Sequence, residues 1–277
     1  MFWVLLISLV ISDSRAQEEC GKILTNYAIE GAGDWIAPWV VSLGVYEGGV
    51  YKVQCTGSLV TPNIIVTAGH CLREAKSSGL WVVRAGVADM RLKRGVETGI
   101  KRISIHPEYY SPEVYYDVGV AVLDESLPLS ASISSLCLPD KPYDVTTMEG
   151  DGVTVQGWGV NNDGVTGNTL TEIDVTVRSR AECNHKYQRV RNRTRNIYFP
   201  ELLTEAMFCA DHNLNNDVGT CYGNSGGPAI RRNWDQEQGA EVFTLVGVVS
   251  GNPAGCIRYR EFPDYYTFLG HTKVGLD

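Results

Sequence analysis

Short apolar segments separated by turn-forming residues recur along the chain. They fall into two groups, both rich in Val, Ile and aromatic residues, and both predict β-strands. The first group covers residues 39–46, 56–60, 64–67 and 81–85, and the second covers residues 153–156, 173–177 and 243–250. Residues 47–49, Glu-Gly-Gly, predict a hairpin turn, and the proline-containing segment 136–142 predicts a crossover between the groups. The pattern favours an all-β protein built from two β-units of similar size, which we expect to be barrels.

Composition and charge agree with this interpretation and exclude one class of partner. The 277 residues include 29 glycines and 14 tyrosines, and 44% of them are hydrophobic, which is typical of a globular chain with many turns. The 32 acidic residues outnumber the 24 basic ones and give a net charge of −8. Because binding to a phosphate backbone needs a basic surface, we expect no nucleic-acid partner.

The N-terminus predicts export. Residues 2–11 are apolar, a run too short to cross a bilayer, which takes about 20 residues. Ser14, Arg15 and Ala16 follow, with small residues where a signal peptidase reads them, so we predict a signal peptide at residues 1–16. An apolar N-terminus on a cytosolic protein is the alternative. No later apolar run is long enough to span a membrane, and we expect a soluble, secreted, extracellular protein without a membrane anchor.

Eight cysteines in a secreted chain favour disulfide bonds. Zinc coordination is the alternative, but the chain contains no Cys-x-x-Cys pair. Counting alone does not choose among the possible pairings. Asn192 begins an Asn-Arg-Thr sequon, which predicts a glycan on a surface loop.

Three short motifs carry the candidate chemistry. Residues 66–71 read VTAGHC, residues 115–123 read YYDVGVAVL, and residues 223–228 read GNSGGP. Each is weak alone, but together they supply His70, Asp117 and Ser225. Acyl transfer needs a hydroxyl nucleophile, an imidazole to take its proton and a buried carboxylate to fix the imidazole tautomer. The glycines around Ser225 would let the N–H groups of Gly223 and Ser225 point at a developing oxyanion.

These segments resemble the chymotrypsin/trypsin family of serine endopeptidases. Three further segments, in family order, carry the resemblance: PWVVSL at 38–43, GWG at 157–159 and VVSG at 248–251. The resemblance implies two orthogonal, antiparallel, six-stranded β-barrels with the active site in the cleft between them. It implies His70 as general base, Asp117 as the residue that orients it, and Ser225 as nucleophile.

The resemblance also assigns the cysteines. It implies the pairs Cys20–Cys137, Cys55–Cys71, Cys183–Cys209 and Cys221–Cys256. No cofactor and no metal are implied. The region where some members bind calcium is basic here, at residues 91–94, and would repel a cation.

The activation switch of the family is altered. Members are cut after a basic residue, and the new N-terminal ammonium pairs with an Asp just before the nucleophile, whereas this chain has Asn224 there. Two cleavage points are open, after Lys22 or after Ala28. We expect a disulfide-tethered propeptide at residues 17–28, with its boundary at 22 or 28, and a peptidase domain at residues 29–277. The family usually continues into a C-terminal helix beyond the point where this sequence stops.

The substrate pocket implied by the resemblance is also unusual. Its residues are Gly219, Ser250, Gly251, Asn252 and Asp264. Trypsin-like members have an Asp at the pocket base, where this chain has Gly219, but Asp264 replaces a wall glycine and would attract Lys or Arg. Certain crustacean collagenolytic members combine a small base residue with such an Asp. Asn252 would narrow the entrance, and a solvated loop carboxylate is the alternative interpretation of Asp264.

A long, basic loop is expected between Cys183 and Cys209. Its cations are either a solvated face or a site that recruits an acidic partner, and they are Lys186, Arg189, Arg191, Arg193 and Arg195.

Two functions follow. The first is a secreted, monomeric serine endopeptidase that acts on protein or peptide substrates and meets an activating protease or an inhibitor. The second is a protease homologue with little or no turnover that acts as a binding or regulatory partner.

Overall fold

The computed structural model describes eight stretches of the chain. They are residues 20–23, 37–92, 94–159, 167–194, 199–212, 224–236, 239–253 and 262–270. The predicted signal peptide at 1–16 and the cleavage point after Ala28 lie outside them, as do Gly219, Gly223 and the pair Cys221–Cys256.

The first half of the described fold is one seven-stranded antiparallel sheet. Its strands, in chain order, are β1 (Val40–Glu47), β2 (Val50–Thr61), β3 (Ile64–Thr67), β4 (Val82–Ala85), β5 (Val96–Thr98), β6 (Ile100–Ile105) and β7 (Gly119–Leu123). The spatial order is β5-β4-β1-β2-β3-β7-β6. The predicted hairpin at 47–49 is confirmed, since Glu47 pairs with Val50 and the two glycines between them have φ values of 56° and 80°.

This first sheet curls so that its two edge strands are consecutive in the sequence. β5 and β6 are the two edge strands, and only Gly99 separates them along the chain. A Cβ on Gly99 would collide with the carboxylate of Asp124, so a larger residue there would have to push that side chain aside. The expected first barrel is present as a curled half-barrel sheet of seven short strands where six were predicted, since Gly99 separates β5 from β6.

The second half is a closed six-stranded antiparallel barrel of order β10-β13-β12-β11-β8-β9. Its strands are β8 (Gly152–Gly157), β9 (Thr171–Arg178), β10 (Met207–His212), β11 (Pro228–Asp235), β12 (Ala240–Gly251) and β13 (Asp264–Phe268). A short 3-10 helix, Val145–Met148, precedes β8. The all-β, two-barrel prediction is confirmed.

The two halves share packed contacts, so the cleft between them has fixed walls. The apolar core of the first sheet includes Ile230 and Leu245 from strands of the second barrel. The indole N–H of buried Trp39 donates to Gln156 Oε1 at 2.8 Å. The crossover segment contacts both sides, because the N–H of Leu136 donates to the first half and the N–H of Cys137 donates to β12.

Two α-helices are present in the described chain, α1 (Gly69–Ser78) and α2 (Arg180–Thr194). Helix α2 corrects the prediction of a loop after Cys183. Ser179 Oγ accepts the N–H of Glu182 at 3.2 Å, which is one arm of a capping box, and the Ser-x-x-Glu signal was present in the sequence. Cys183, Tyr187 and Val190 are buried along one face.

The sequon and most of the basic residues therefore lie in a helix, where a loop was predicted. Asn192 lies in the last turn of α2 and not in a loop, because the helix continues to Thr194. Lys186 lies 3.2 Å from Asp211 and 3.6 Å from Glu182, so part of the positive charge is balanced locally. Arg195 lies outside the described residues.

Three disulfides link described cysteines: Cys20–Cys137, Cys55–Cys71 and Cys183–Cys209. They are pairs that the resemblance implies. In the described chain, neither helix has the length and apolar character needed to cross a bilayer.

Candidate active site

His70 is placed by the junction between β3 and α1. The strand ends at Thr67, whose hydroxyl donates to the carbonyl of Thr56 at 2.7 Å, and Ala68 stays extended as the N-cap of the helix. His70 thus occupies the first turn of α1. The next residue, Cys71, bonds to Cys55 of β2, so a covalent link holds this turn against the sheet.

Asp117 lies just before β7 and is only 2% exposed. Its Oδ1 accepts the backbone N–H of His70 at 2.8 Å. Its Oδ2 accepts the hydroxyl of Ser250 at 2.6 Å and lies 2.7 Å from His70 Nδ1. Burial alone would raise the pKa of this carboxyl, but the charge and hydrogen bonds of His70 and the hydroxyl of Ser250 outweigh it and lower the pKa. Asp117 is therefore ionised.

The ionised carboxylate sets the state of His70. With a proton on Nδ1 facing Asp117, the lone pair of the neutral imidazole is on Nε2, where a base needs it. Burial lowers the pKa of His70, but the charge and hydrogen bond of Asp117 outweigh that effect, so the pKa is raised above its ordinary value. The pair can take a proton at Nε2 and stabilise the resulting imidazolium.

Ser225 sits on a tight glycine turn that is held by both barrels. Its carbonyl accepts the N–H of Thr56 from the first half at 2.9 Å, and the N–H of Gly226 donates to Val249 of the second half at 2.8 Å. Gly226 has φ of 80°, and a Cβ there would strike the backbone of Thr56. Ser225 thus lies where backbone hydrogen bonds join the two halves.

His70 and Ser225 approach the same sulfur atom. Cys71 Sγ lies 3.5 Å from His70 Nε2 and 3.7 Å from the carbonyl oxygen of Ser225. Within the described stretches no hydrogen bond joins the Ser225 hydroxyl to His70 Nε2. The possible ligand atoms of Cys55, His70 and Cys71 lie within 4.8 Å of one another. Both cysteine sulfurs are in a disulfide, so this cluster offers no thiolate to a metal ion.

Asn224, the residue before Ser225, is 1% exposed. Neither polar atom of its side chain has a hydrogen-bond partner in the part of the chain that is described. The amide packs against Gly157 and Gly159, where any Cβ would collide with it. A buried amide without partners costs about 1–3 kcal/mol, so this side chain weakens the segment that carries Ser225.

Four residues of the predicted substrate pocket are described, and they lie at the ends of β12 and β13. Ser250 and Gly251 end β12, Asn252 follows them, and Asp264 begins β13. The interpretation of Asp264 as a solvated loop carboxylate is wrong, since it lies in a strand and is 0% exposed. A Cβ on Gly251 would come within 2.8 Å of the Tyr265 hydroxyl, so this tyrosine fills the space beside the strand.

Two residues that the sequence did not single out, Tyr116 and His106, support the turn before Asp117. Tyr116 has a left-handed φ of 53°, which is strained for a bulky side chain, and its ring stacks on His106 at 4.8 Å. The backbone N–H of His106 donates to Val118 at 3.0 Å. Together these contacts fix the turn that presents Asp117. No local signal marks a positive φ at a tyrosine, so sequence reasoning had no means of finding it.

Comparisons with known proteins agree with this geometry. The family model described as Trypsin matches residues 30–270. Transmembrane protease serine 11E of Mus musculus is 29% identical over 214 residues, which are 77% of this chain and 45% of that protein. Ovochymase of Halocynthia roretzi is 30% identical over 260 residues, 91% of this chain and 15% of that protein. Clotting factor G beta subunit of Tachypleus tridentatus is 28% identical over 241 residues, 84% of this chain and 72% of that protein. The chain thus matches less than half the length of the mouse and Halocynthia relatives.

Proposed function

This chain belongs to the trypsin family of serine proteases, and on that premise we propose that it is a secreted serine endopeptidase with Ser225, His70 and Asp117 as its catalytic residues. The observation that carries the proposal is the state of Asp117. Asp117 is a buried carboxylate that accepts hydrogen bonds from His70 and Ser250. A carboxylate in this arrangement fixes the tautomer and orientation of an imidazole, as proton transfer at Nε2 requires.

The proposed reaction gives one role to each of these three residues. The Ser225 hydroxyl attacks the peptide carbonyl while His70 Nε2 takes its proton, and Asp117 stabilises the imidazolium. The N–H groups of Gly223 and Ser225 are proposed to hold the oxyanion. His70 then gives the proton to the leaving amine, which departs as the C–N bond breaks. Water, deprotonated by His70, hydrolyses the acyl-enzyme and restores Ser225.

We propose that Asp264 gives a preference for substrates with Lys or Arg before the scissile bond. Asp264 lies at the start of β13, and the next residue, Tyr265, pairs with Gly251 at the end of β12. A buried carboxylate favours a cationic ligand, because the attraction between charges grows as water is excluded. Gly219 would form the base of the same pocket.

Activation is proposed to occur by cleavage after Lys22 or after residue 28, once the signal peptide at 1–16 has been removed. The tether is supported by the contacts of the preceding residues. Cys20 bonds to Cys137, the N–H of Gly21 donates to Ser135 at 2.7 Å, and the carbonyl of Gly21 accepts the N–H of Phe243 at 2.9 Å. A cut after Lys22 would leave the segment 17–22 tethered by this disulfide to the chain that begins at residue 23 and contains the peptidase domain.

The remaining proposals concern partners. We propose a monomer that meets a protein or peptide substrate and an activating protease or an inhibitor. Asn192 is proposed to carry a glycan, and the fourth disulfide is proposed to join Cys221 to Cys256.

A second function is favoured by one specific observation. Asn224 carries no charge, and its buried amide has no partner in the described chain. If the segment around Ser225 stays unformed for that reason, the protein acts as a binding or regulatory homologue with little turnover.

The two functions are separated by labelling the secreted protein with a serine-reactive fluorophosphonate before and after cleavage by a Lys-specific protease. The endopeptidase proposal expects labelling that Ser225→Ala abolishes and that Ser77→Ala, a change on the exposed side of α1, leaves intact. Absence of labelling in both states would contradict the proposal and support the binding homologue. Labelling before cleavage would show that the oxyanion site forms in the single chain.

A further inference from the structure

Tyr115, two residues before Asp117, precedes a strand of the first half but packs in the second half. It is buried, and its ring stacks on Phe199 with the ring centroids 5.9 Å apart. Its hydroxyl oxygen accepts the backbone N–H of Glu201 at 2.6 Å. Phe199 and Glu201 lie between α2 and β10, in the second half. Tyr115 therefore attaches the turn before Asp117 to the opposite half of the molecule.

Phe199 is the centre of a group of four aromatic rings. It is buried, and the centroid of its ring lies 5.4 Å from that of Tyr187 in α2 and 5.1 Å from that of Tyr265 in β13. We call Tyr115, Tyr187, Phe199 and Tyr265 the aromatic cluster. A disulfide joins α2 to β10 beside it. The ring that Tyr115 contacts is thus held by a helix, a strand and a nearby covalent link.

Asp117 itself is also held from the second half. The hydroxyl of Ser250 on β12 donates to its Oδ2 at 2.6 Å, and the hydroxyl of Thr267 on β13 donates to its backbone carbonyl at 3.0 Å. Burial chiefly raises the pKa of Tyr265, and the charge of Asp117 raises it further, so the carboxylate acts on the aromatic cluster. The position of Asp117 therefore depends on the half to which it does not belong.

The chain between Tyr115 and Asp117 has little freedom. Tyr116, the single residue between them, has a φ of 53°, and the N–H of Val118 donates to the carbonyl of Tyr116 at 2.7 Å, which closes a three-residue turn centred on Asp117. Movement of the Tyr115 ring is therefore passed on to the Asp117 carboxylate. Burial lowers the pKa of His70, but the charge of Asp117 outweighs it, so displacement of the carboxylate would let that pKa fall.

We propose that Tyr115 is a positioning residue, which keeps Asp117 in line with His70 by anchoring its turn in the aromatic cluster. This inference rests on the proposed function, since it concerns the proton-transfer pair of the same site. A misplacement of about 1 Å costs on the order of 100-fold in rate, so a distant anchor affects the chemistry. The alignment of a first-half pair thus depends on side chains that pack beneath α2.

The test follows the protonation of His70 by NMR in the uncleaved protein with isotopically labelled histidine, and His70→Ala identifies the signal. Tyr115→Leu removes the ring but keeps an apolar side chain. The midpoint of the His70 titration should then move to lower pH, because Asp117 supports the imidazolium less. Tyr115→Phe keeps the ring and should keep the midpoint. The matched control is Tyr143→Leu, which removes a half-buried ring that packs on Phe268 and should not move the midpoint.

A change in the second half tests the coupling between the halves. Phe199→Leu leaves the first half untouched and should move the His70 midpoint in the same direction as Tyr115→Leu. The double variant should move it no further than Tyr115→Leu alone, because both changes break one contact. If Tyr115→Leu does not fold, Phe199→Leu decides the question. An unmoved midpoint in either folded variant, or an equal shift in Tyr143→Leu, would overturn the inference.

Kinetics keep the inference separate from the proposed function. In the cleaved protein, kcat of Tyr115→Leu should fall roughly 10- to 100-fold with little change in KM, and the acid limb of its pH profile should move to lower pH. Loss of folded protein would lower the rate without moving that limb. A moved NMR midpoint in a protein that neither hydrolyses peptides nor takes the fluorophosphonate label would overturn the proposed function and leave the role of Tyr115 standing. Hydrolysis with an unmoved acid limb in Tyr115→Leu would do the reverse.

Discussion

The two halves of the molecule differ in how they treat buried polar side chains. In the first half, Asp117 is buried but accepts hydrogen bonds from the backbone and ring of His70 and from Ser250. In the second, Asn224 is just as buried, and its amide has no partner within the described residues. Since an unsatisfied buried group costs about 1–3 kcal/mol, the hydrogen-bonded pair of His70 and Asp117 is well supported by the fold, whereas the segment that carries Ser225 is the weaker part. We therefore expect differences in activity between variants of this protein to arise in the second half.

The largest effect is expected from Asp117→Asn. The variant keeps the shape but loses the charge and favours the wrong tautomer of His70, so kcat should fall by about 10⁴-fold. Steady-state hydrolysis by the cleaved protein measures it. A loss below about tenfold would show that Asp117 does not orient His70.

The pH profile of the same variant gives the sign of the coupling. Neutral His70 is the active form, and Asp117 raises the pKa of His70, so activity of the unaltered protein should fall with decreasing pH from above about 6.5. Asp117→Asn removes the cause of the increase and should move the residual acid limb to lower pH. An unmoved limb would contradict the assignment.

The next effect concerns the weaker half. Asn224→Asp would place a charge at a 1% exposed position, so uncleaved protein should lose several kcal/mol of stability. Urea unfolding measures the loss, with exposed Asn233→Asp as the matched control expected to change little. Unchanged stability would reveal a cation already beside position 224 and would make the two halves alike.

The smallest effect tests the turn that presents Asp117. Tyr116→Ala loses the stacking on His106 and keeps the left-handed strain, whereas Tyr116→Gly loses the stacking but relieves the strain. The glycine variant should be the more stable of the two by about 1 kcal/mol in urea unfolding.

Tyr110 supplies the control for this order, because its side chain is 71% exposed and its φ is not left-handed. There the alanine variant should be the more stable one. The same order at both positions would show that the turn before Asp117 carries no strain.

Strands with strong apolar character were predictable, and polar or interrupted elements were not. The predicted segment 64–67 is β3 itself, and 173–177 lies inside β9. Strands β5 and β6 escaped prediction because each is short and Gly99 divides them. Helix α2 is largely polar and lacks a strong apolar period, so its capping Ser179 was the best available signal.

The sequence by itself determined the family and, through that resemblance, the identity of the candidate triad and the three disulfides that join described cysteines. Short motifs with fixed residue types carry that information, and their order along the chain is enough to read it. Tertiary structure alone decided the burial of Asp264, its bond to Asn252 and the stacking of His106 on Tyr116. It also decided the burial of the Asn224 amide, which has no hydrogen-bond partner among the residues that the structure describes. These contacts depend on strand register and on side-chain rotamers across separate strands and turns, and no local pattern in the chain encodes them.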